Sequence, residues 1–168
     1  MSSQNYKTWI NLKSSLADHN LKIFRSLIGP KVKLWAVVKS NAYGHGLLTF
    51  SKLVNELGVD GFCADSVIEG IKLRDSGIKK PILVLGPTLP NLLAEARRKN
   101  ITITISNFDL LDRYLKSKEK PDFHLKIDTG MHRQGFYFSE IGKFQKTSNL
   151  ELRTSNAPEG RLYSFCFR

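Results

Sequence analysis

One stretch of this chain decides its fold: Ala36-Val37-Val38-Lys39-Ser40-Asn41-Ala42-Tyr43-Gly44-His45-Gly46. The apolar run that ends at Val38 is typical of a strand buried on both faces of a parallel sheet. It stops abruptly at Lys39, and a small, polar loop interrupted by two glycines follows. A partly desolvated amine at the end of a rigid strand can lose its proton and attack a carbonyl. The stretch therefore predicts a reactive lysine at the rim of a binding site, with an aldehyde cofactor such as pyridoxal phosphate as its partner.

Similar apolar runs recur along the chain. They are Leu34–Val38, Phe62–Ala64, Ile82–Leu85, Ile101–Ile105 and Phe123–Ile127. Helix signals separate them; for example, Ser66-Val67-Ile68-Glu69 has the pattern of a capping box, and Gly77 marks the end of the same helix. This alternation predicts an α/β fold with a parallel sheet, either an open doubly wound sheet or a (β/α)8 barrel. Five visible strands leave that choice open, since a barrel needs eight strands and about 250 residues.

Segments near the two ends of the chain carry further local predictions. Thr8–Leu12 predicts a short strand, and the leucines up to Leu27 predict an opening helix that Gly29 closes. Ser139–Lys146 predicts a short helix. Residues 153–168 show no clear period, so we expect an atypical tail after an α/β portion that covers residues 1–152. A shift of reading frame and a natural short strand are both open explanations of that tail.

The composition excludes several classes of protein. An apolar content of 41% and a charged content of 24% predict a packed core rather than disorder. No segment is apolar enough for a transmembrane helix, and the N-terminus lacks the apolar core of a secretory signal. We therefore expect a cytoplasmic protein with reduced thiols at Cys63 and Cys166, and we expect no metal site. The net charge of +11 comes from lysines and arginines scattered along predicted helices, which favours solvated helix faces over nucleic-acid binding and would attract anionic ligands.

A second stretch has the same construction as the first: Leu125-Lys126-Ile127-Asp128-Thr129-Gly130-Met131-His132-Arg133-Gln134-Gly135-Phe136. The planar guanidinium of Arg133 suits a carboxylate or a phenolate. We expect Asp128 to fix the turn by accepting backbone amides, and His45 in the first stretch to be a hydrogen-bonding loop residue. Either stretch alone is weak evidence, since loop lysines and arginines usually face solvent. Together they place chemistry at the carboxyl ends of two strands, where α/β folds build their sites.

The two stretches closely resemble the two N-terminal signatures of the alanine racemase family. Residues 61–66 and 82–86 also look like the second and third barrel strands of that family. The resemblance covers roughly residues 7–150. It implies a pyridoxal phosphate enzyme with an eight-stranded barrel and a β-rich domain, acting as a homodimer on the interconversion of L-alanine and D-alanine for cell-wall precursors. No membrane or nucleic-acid partner is implied.

The resemblance also implies roles for individual residues. Lys39 would hold the cofactor covalently and act as the catalytic base on one face of the substrate. Tyr43 would bind near the cofactor phosphate, and Arg133 would bind both the phenolic oxygen of the cofactor and the substrate carboxylate. Lys126 matches a lysine that many members carry in carbamylated form beside that arginine.

Other features expected of the family have no match in this chain. The acid on the opposite face comes from the β-rich domain of a partner subunit, and the sixth strand should carry a histidine where Tyr163-Ser164-Phe165 has none. We therefore expect an incomplete barrel of about five to six strands with impaired activity. A single-barrel pyridoxal-phosphate-binding homeostasis protein and an inactive fragment are the alternatives.

Overall fold

In the computed structural model, which describes residues 7–140, five parallel strands follow one another in chain order. They are β1 Trp35–Val37, β2 Gly61–Ala64, β3 Ile82–Val84, β4 Ile103–Ile105 and β5 Phe123–Leu125. Strands β1, β2 and β3 form one sheet, and β4 pairs with β5. A parallel bridge between Leu83 and Thr102 joins the two sheets, because the Val84 N–H donates to Thr102 O at 2.8 Å and the Thr102 N–H donates to Ile82 O at 2.9 Å.

This strand order decides between the two architectures that the sequence left open. A doubly wound sheet reverses its order at a switch point, whereas the strands of a (β/α)8 barrel follow one another around the axis. Each strand from β1 to β5 lies beside its predecessor in sequence, which is the order around a barrel. The α/β class and all five strand positions predicted from the sequence are present.

One predicted helix precedes β1, and the other predicted helices follow strands. The helical segments are α1 Ser14–Ile28, α2 Lys39–Tyr43, α3 Leu47–Glu56, α4 Val67–Asp75, α5 Leu93–Arg98 and α6 Phe108–Lys116. Of these, α2 was predicted as a loop, and its residues Ser40 to Ala42 have left-handed rather than α-helical backbone angles. Two short 3-10 turns occupy Pro90–Leu92 and Phe138–Glu140, and a two-residue pair, β6 Ile127–Asp128 and β7 Phe136–Tyr137, follows β5. At the start of α4 the Ser66 hydroxyl accepts from the Glu69 N–H at 3.3 Å, as a capping box requires.

The core lies between the strands and the inner faces of helices α3 to α6. Its largest fully buried side chains include Phe62, Ile82, Ile103 and Ile105 from the strands. Burial of a side chain of this size contributes roughly 1.5–3 kcal/mol to the free energy of folding. Because these strands are buried along their whole length, their carboxyl ends are held in fixed positions relative to one another.

Helix α1 is amphipathic but buries none of its residues among those described. Leu16, Phe24 and Leu27 are 58%, 54% and 76% exposed. Arg25 ties the helix to the barrel strands, because its guanidinium donates to Asp60 Oδ2 at 2.8 Å, and the same carboxylate oxygen accepts from the Leu34 N–H at 2.6 Å. The helix is therefore attached by these polar contacts near its C-terminal end and by the partly buried Leu21, which packs against the core.

Three local predictions are not confirmed by the structure. Residues 8–12 form no strand, because no neighbouring strand among the described residues pairs with them. The predicted helix at 139–146 lies outside the described residues except for a 3-10 turn that ends at Glu140. The tail predicted at 153–168 lies outside them as well. No helix in residues 7–140 has the length and apolar character needed to span a bilayer.

Candidate functional site

Lys39 lies immediately after β1, at the carboxyl end of the first strand. The strand is anchored up to the preceding residue, since Val38 is fully buried and its N–H donates to Cys63 O of β2 at 2.8 Å. Lys39 itself is half-buried. The structure therefore places this amine at the rim of the strand ends, as the sequence predicts.

The segment after Lys39 has an unusual backbone. Ser40, Asn41, Ala42 and Tyr43 all have φ between 52° and 56°, so four consecutive residues with side chains adopt the left-handed conformation. Such a conformation costs roughly 1–2 kcal/mol per residue for L-amino acids. A run of this kind persists only where the surrounding structure holds it in place.

Several hydrogen bonds hold the left-handed segment. The Ala42 N–H donates to Val38 O at 2.8 Å, and the Asn41 carbonyl accepts from the N–H groups of Gly44 and Gly46 at 3.1 and 3.0 Å. The Asn41 side chain adds a further bond, because its Oδ1 accepts from the Leu47 N–H at 2.8 Å and so fixes the start of α3. The loop after Lys39 is thus closed on itself and on the following helix.

The two ring-bearing residues of this loop have different environments. Tyr43 is 61% exposed, so its hydroxyl is available to a ligand and contributes little to the core. His45 Nδ1 lies 3.0 Å from Ala42 O, and with a proton on Nδ1 the ring donates to that carbonyl. The histidine therefore forms the loop hydrogen bond expected from the sequence.

The second predicted stretch forms a compact loop between β6 and β7. Asp128 Oδ1 accepts from the N–H groups of Gly130 and His132 at 2.9 and 3.1 Å, and these bonds hold the pKa of Asp128 below its usual value. The chain passes close to its own backbone at Gly135, where a Cβ would lie 2.7 Å from the Asp128 nitrogen. This close approach requires a glycine. Asp128 fixes the turn, as predicted, and Arg133 projects from an exposed position in the loop.

Lys126 links the two loops electrostatically. Its pKa is lowered, first by desolvation and then by the positive charges of Arg133 and Lys39, while Asp128 acts in the opposite direction. All three predicted cations thus share one region at the carboxyl ends of β1 and β5. The Asp128 carboxylate is already engaged by backbone amides, which leaves this region with an excess of positive charge suited to an anionic ligand.

Three side chains at this edge of the barrel were not predicted from the sequence. Lys126 Nζ donates to Gln134 Oε1 at 3.4 Å, and Gln134 Nε2 donates to the buried Ser106 Oγ at 3.0 Å. Glu69 of α4 accepts from the Asn41 N–H of the lysine loop. The contacts from Gln134 to Ser106 and from Asn41 to Glu69 each join residues 28 positions apart, so no spacing signal pointed to them. Lys126 and Gln134 are eight positions apart within one predicted stretch. Within residues 7–140, no group of three or more His, Cys, Asp or Glu side chains is placed to hold a metal ion.

Comparisons of the sequence with known proteins all point to one family. Residues 13–154 match the family model described as alanine racemase, N-terminal domain. Alanine racemase from Desulforamulus reducens is 34% identical over 144 residues, which cover 83% of this chain and 39% of that protein. Lysine racemase from Oenococcus oeni is 44% identical over 126 residues, which cover 73% of this chain and 33% of that protein.

A solved structure gives the same result in three dimensions. Alanine racemase from Bacillus anthracis with bound L-Ala-P superposes with a TM-score of 0.73 at 30% identity, over 79% of this chain and 36% of that one. The chain therefore spans little more than a third of the length of these relatives. By its matched residues, its strand order and its two loop signatures, this chain belongs to the alanine racemase family and corresponds to the N-terminal barrel domain.

Proposed function

We propose that this chain binds pyridoxal phosphate at Lys39 and supplies one face of an amino-acid racemase site. Pyridoxal phosphate is the cofactor of the alanine racemase family. The observation that carries the proposal is the position of Lys126 just after β5, where the charges of both Arg133 and Lys39 are close enough to lower its pKa. An aldehyde that carries a phosphate and a phenolic oxygen fits this donor set, since it offers a carbonyl to one amine and negative charge to the other cations.

Each residue has a separate proposed role. Lys39 would attach the cofactor through its aldehyde carbon. Arg133 would donate to the phenolic oxygen of the cofactor and to the substrate carboxylate, for which its planar group is suited. The exposed Tyr43 hydroxyl would donate to the phosphate. Lys126, whose pKa is lowered by its surroundings, is the residue that would take up CO2 as a carbamate and so turn a repulsive neighbour of Arg133 into an attractive one.

The proposed chemistry is a proton transfer at the α-carbon of an amino acid. The bound cofactor supplies an electron sink for the negative charge that remains when the α-proton leaves. Lys39 Nζ would accept that proton on one face and return it, and the fixed strand end would keep the amine aimed at the α-carbon. Arg133 would orient the substrate through its carboxylate. Alanine is the proposed substrate, while the match to a lysine racemase leaves the preferred side chain to be measured.

Racemisation also needs an acid on the opposite face of the substrate. Among residues 7–140, the two carboxylates described at this end of the strands, Asp128 and Glu69, both already accept hydrogen bonds from backbone N–H groups. We infer that the described strands form an arc of the barrel, and that the racemase activity of residues 7–140 alone is impaired because the opposite-face acid is not among them. In the family that acid comes from a β-rich domain and a homodimer partner. A cytoplasmic location and a role in supplying D-alanine for the cell wall are part of the same proposal.

Cofactor capture tests the proposal directly. The purified chain is mixed with pyridoxal phosphate, the absorbance of lysine-bound cofactor is recorded, and the adduct is fixed with borohydride and mapped by mass spectrometry. We expect the band in the wild type and the adduct on Lys39, with both lost in Lys39→Ala. Lys116→Ala is the matched control, because Lys116 is an exposed lysine paired with Asp112 on α6. Folded wild-type protein that shows no band, or an equal band in Lys39→Ala, would refute the cofactor assignment.

A second assay separates partial from complete catalysis. Either enantiomer of alanine is incubated with the loaded chain in D2O, and both α-deuterium incorporation and D-alanine formation are measured. We expect slow deuterium incorporation into one enantiomer with little inversion, because one base serves one face. Rapid inversion of both enantiomers would contradict the inference that activity is impaired.

A further inference from the structure

The carboxylate of Glu69 joins two loops at the carboxyl ends of the barrel strands. Its Oε1 accepts from the Asn41 N–H in the lysine loop at 3.2 Å, and its Oε2 accepts from the Asp65 N–H, just after β2, at 2.8 Å. One oxygen therefore contacts the loop after the first strand and the other contacts the loop after the second. The two loops have no comparable side-chain link among the hydrogen bonds described for residues 7–140.

Helix capping does not explain this arrangement. In a capping box the glutamate at the third helical position turns back to the N–H of the capping residue, which in α4 is Ser66. Here the Ser66 hydroxyl does accept from the Glu69 N–H at 3.3 Å, but the Glu69 carboxylate reaches past Ser66 to Asp65 and across to Asn41. The backbone of Glu69 thus belongs to the cap, while its side chain is used between strands.

The contact with Asn41 falls on the strained part of the chain. Asn41 is the second of four consecutive left-handed residues, and it is only two positions from Lys39. Its side chain holds the far end of the loop through Leu47, while Glu69 holds its backbone from the neighbouring βα unit. Without the carboxylate, the Asn41 N–H would lose its acceptor and the loop would lose its lateral restraint. An unrestrained loop would let the Lys39 amine depart from the geometry that the strand end sets.

We propose that Glu69 is a positioning residue, which holds the Lys39 loop in its left-handed conformation and so fixes the lysine amine for attack on the cofactor. The proposal rests on the proposed function for its chemical consequence, while its structural part concerns the loop alone. A carboxylate is the group required, because both partners are N–H donors. In Glu69→Gln the amide offers one acceptor oxygen and turns its NH2 group toward the second donor, so one of the two bonds is replaced by a repulsive contact.

Two variants of the same helix end separate positioning from capping. Glu69→Gln removes one of the two inter-loop bonds with almost no change in volume. Ser66→Ala removes the cap hydroxyl and leaves the carboxylate in place, so it serves as the matched control. Both variants should shift the urea midpoint downward. Only Glu69→Gln should alter the lysine loop.

Two readouts on the full chain test the proposal. The first is amide hydrogen exchange at Asn41 and Asp65 measured by NMR, which should accelerate at least about tenfold at one of these sites in Glu69→Gln and stay near the wild-type rate in Ser66→Ala. The second is the rate at which pyridoxal phosphate and borohydride label Lys39, relative to Lys116 in the same molecule. We expect that ratio to fall about tenfold or more in Glu69→Gln and to change little in Ser66→Ala, because displacement of a reacting group by about 1 Å has effects of that order or larger.

The outcomes are distinguishable. Unchanged exchange and labelling in Glu69→Gln would overturn the proposal, and so would equal losses in Glu69→Gln and Ser66→Ala, because both results would make Glu69 a capping residue only. If wild-type Lys39 takes no label, the proposed function fails, and the exchange rates at Asn41 and Asp65 then decide the positioning role alone. A further check is Asn41→Ala, which loosens the same loop from its other end. Its effect on labelling should combine with that of Glu69→Gln less than additively if both act through one loop.

Discussion

Replacement of Gly86 by alanine should be among the most damaging single-methyl additions in this chain. Gly86 follows β3, and a Cβ at this position would lie 2.4 Å from the backbone oxygen of Asp65. Real Cβ atoms essentially never approach other atoms closer than 3.0 Å, so the two strand ends would have to separate by roughly 0.6 Å or more. The obstructing atom is backbone, so no side-chain rotation can relieve the contact. The Gly86 N–H donates to that same oxygen at 3.0 Å, which means that the separation would also stretch this hydrogen bond.

The cost follows from these two effects. Overpacking in a well-packed region costs about 1–3 kcal/mol, and a weakened backbone hydrogen bond adds about 1 kcal/mol. The stiffer alanine backbone returns about 0.4–1 kcal/mol through the unfolded state. We therefore expect the free energy of unfolding to fall by roughly 2–3 kcal/mol. With a urea m-value of about 2 kcal/mol/M, the midpoint should drop by about 1–1.5 M.

A matched control makes this prediction specific. Gly77 ends α4 with φ of 94° and has open space where a Cβ would be, so Gly77→Ala carries backbone strain without a clash. We expect its loss to be about 1 kcal/mol, the ordinary cost of a left-handed alanine. Urea unfolding followed by circular dichroism measures both variants. A loss in Gly86→Ala no larger than that in Gly77→Ala would show that the strand ends tolerate the added methyl, and the steric argument would be refuted.

Two further predictions use the titrating groups of the fold. Burial raises the pKa of the Cys63 thiol to about 11. At pH 8, iodoacetamide should therefore alkylate Cys63 at least about a hundredfold more slowly in native protein than in 8 M urea, as measured on the Cys63 peptide. Comparable rates in the two conditions would contradict the burial of this thiol. The pKa of Lys126 is lower in the folded than in the unfolded state, so its positive charge opposes folding at any pH below the folded-state pKa. This penalty disappears above the unfolded-state pKa of about 10.4, where the amine is neutral in both states. Lys126→Met in CO2-free buffer should therefore raise the free energy of unfolding in urea slightly at pH 7, by less than about 1 kcal/mol because the side chain is half-exposed, and should give no gain at pH 11. An equal gain at both pH values would assign the effect to packing rather than to charge.

Much of the fold could be predicted because its signals are local. Strands β2, β3 and β4 are short, almost wholly apolar and buried along their length, as strands covered on both faces must be. Each of the three helices α1, α3 and α4 ends at or just before a glycine with positive φ. The strand predicted at residues 8–12 was wrong, because strand formation also depends on a pairing partner that the local sequence does not show. Its alternation is local, but a strand exists only where a second strand pairs with it, and the described residues supply none. The choice between barrel and doubly wound sheet was likewise beyond local signals, since it depends on which strands become neighbours.

The features of the candidate site also fall into those that the local sequence predicts and those that depend on tertiary contacts. The sequence by itself determined that Lys39 and Arg133 follow apolar strands, that Asp128 fixes its turn and that the chain resembles one family, because residue type and spacing carry those facts. Only the tertiary structure decided that Lys39 lies near enough to Lys126 to lower its pKa, that four residues after Lys39 are left-handed, and that Glu69 binds the Asn41 amide from the next βα unit. The first and third of these features arise from contacts between segments that are distant in sequence, and the left-handed run is held partly by such a contact, from Glu69. The packing of consecutive parallel strands brings their ends together, and no local pattern records which side chains then meet.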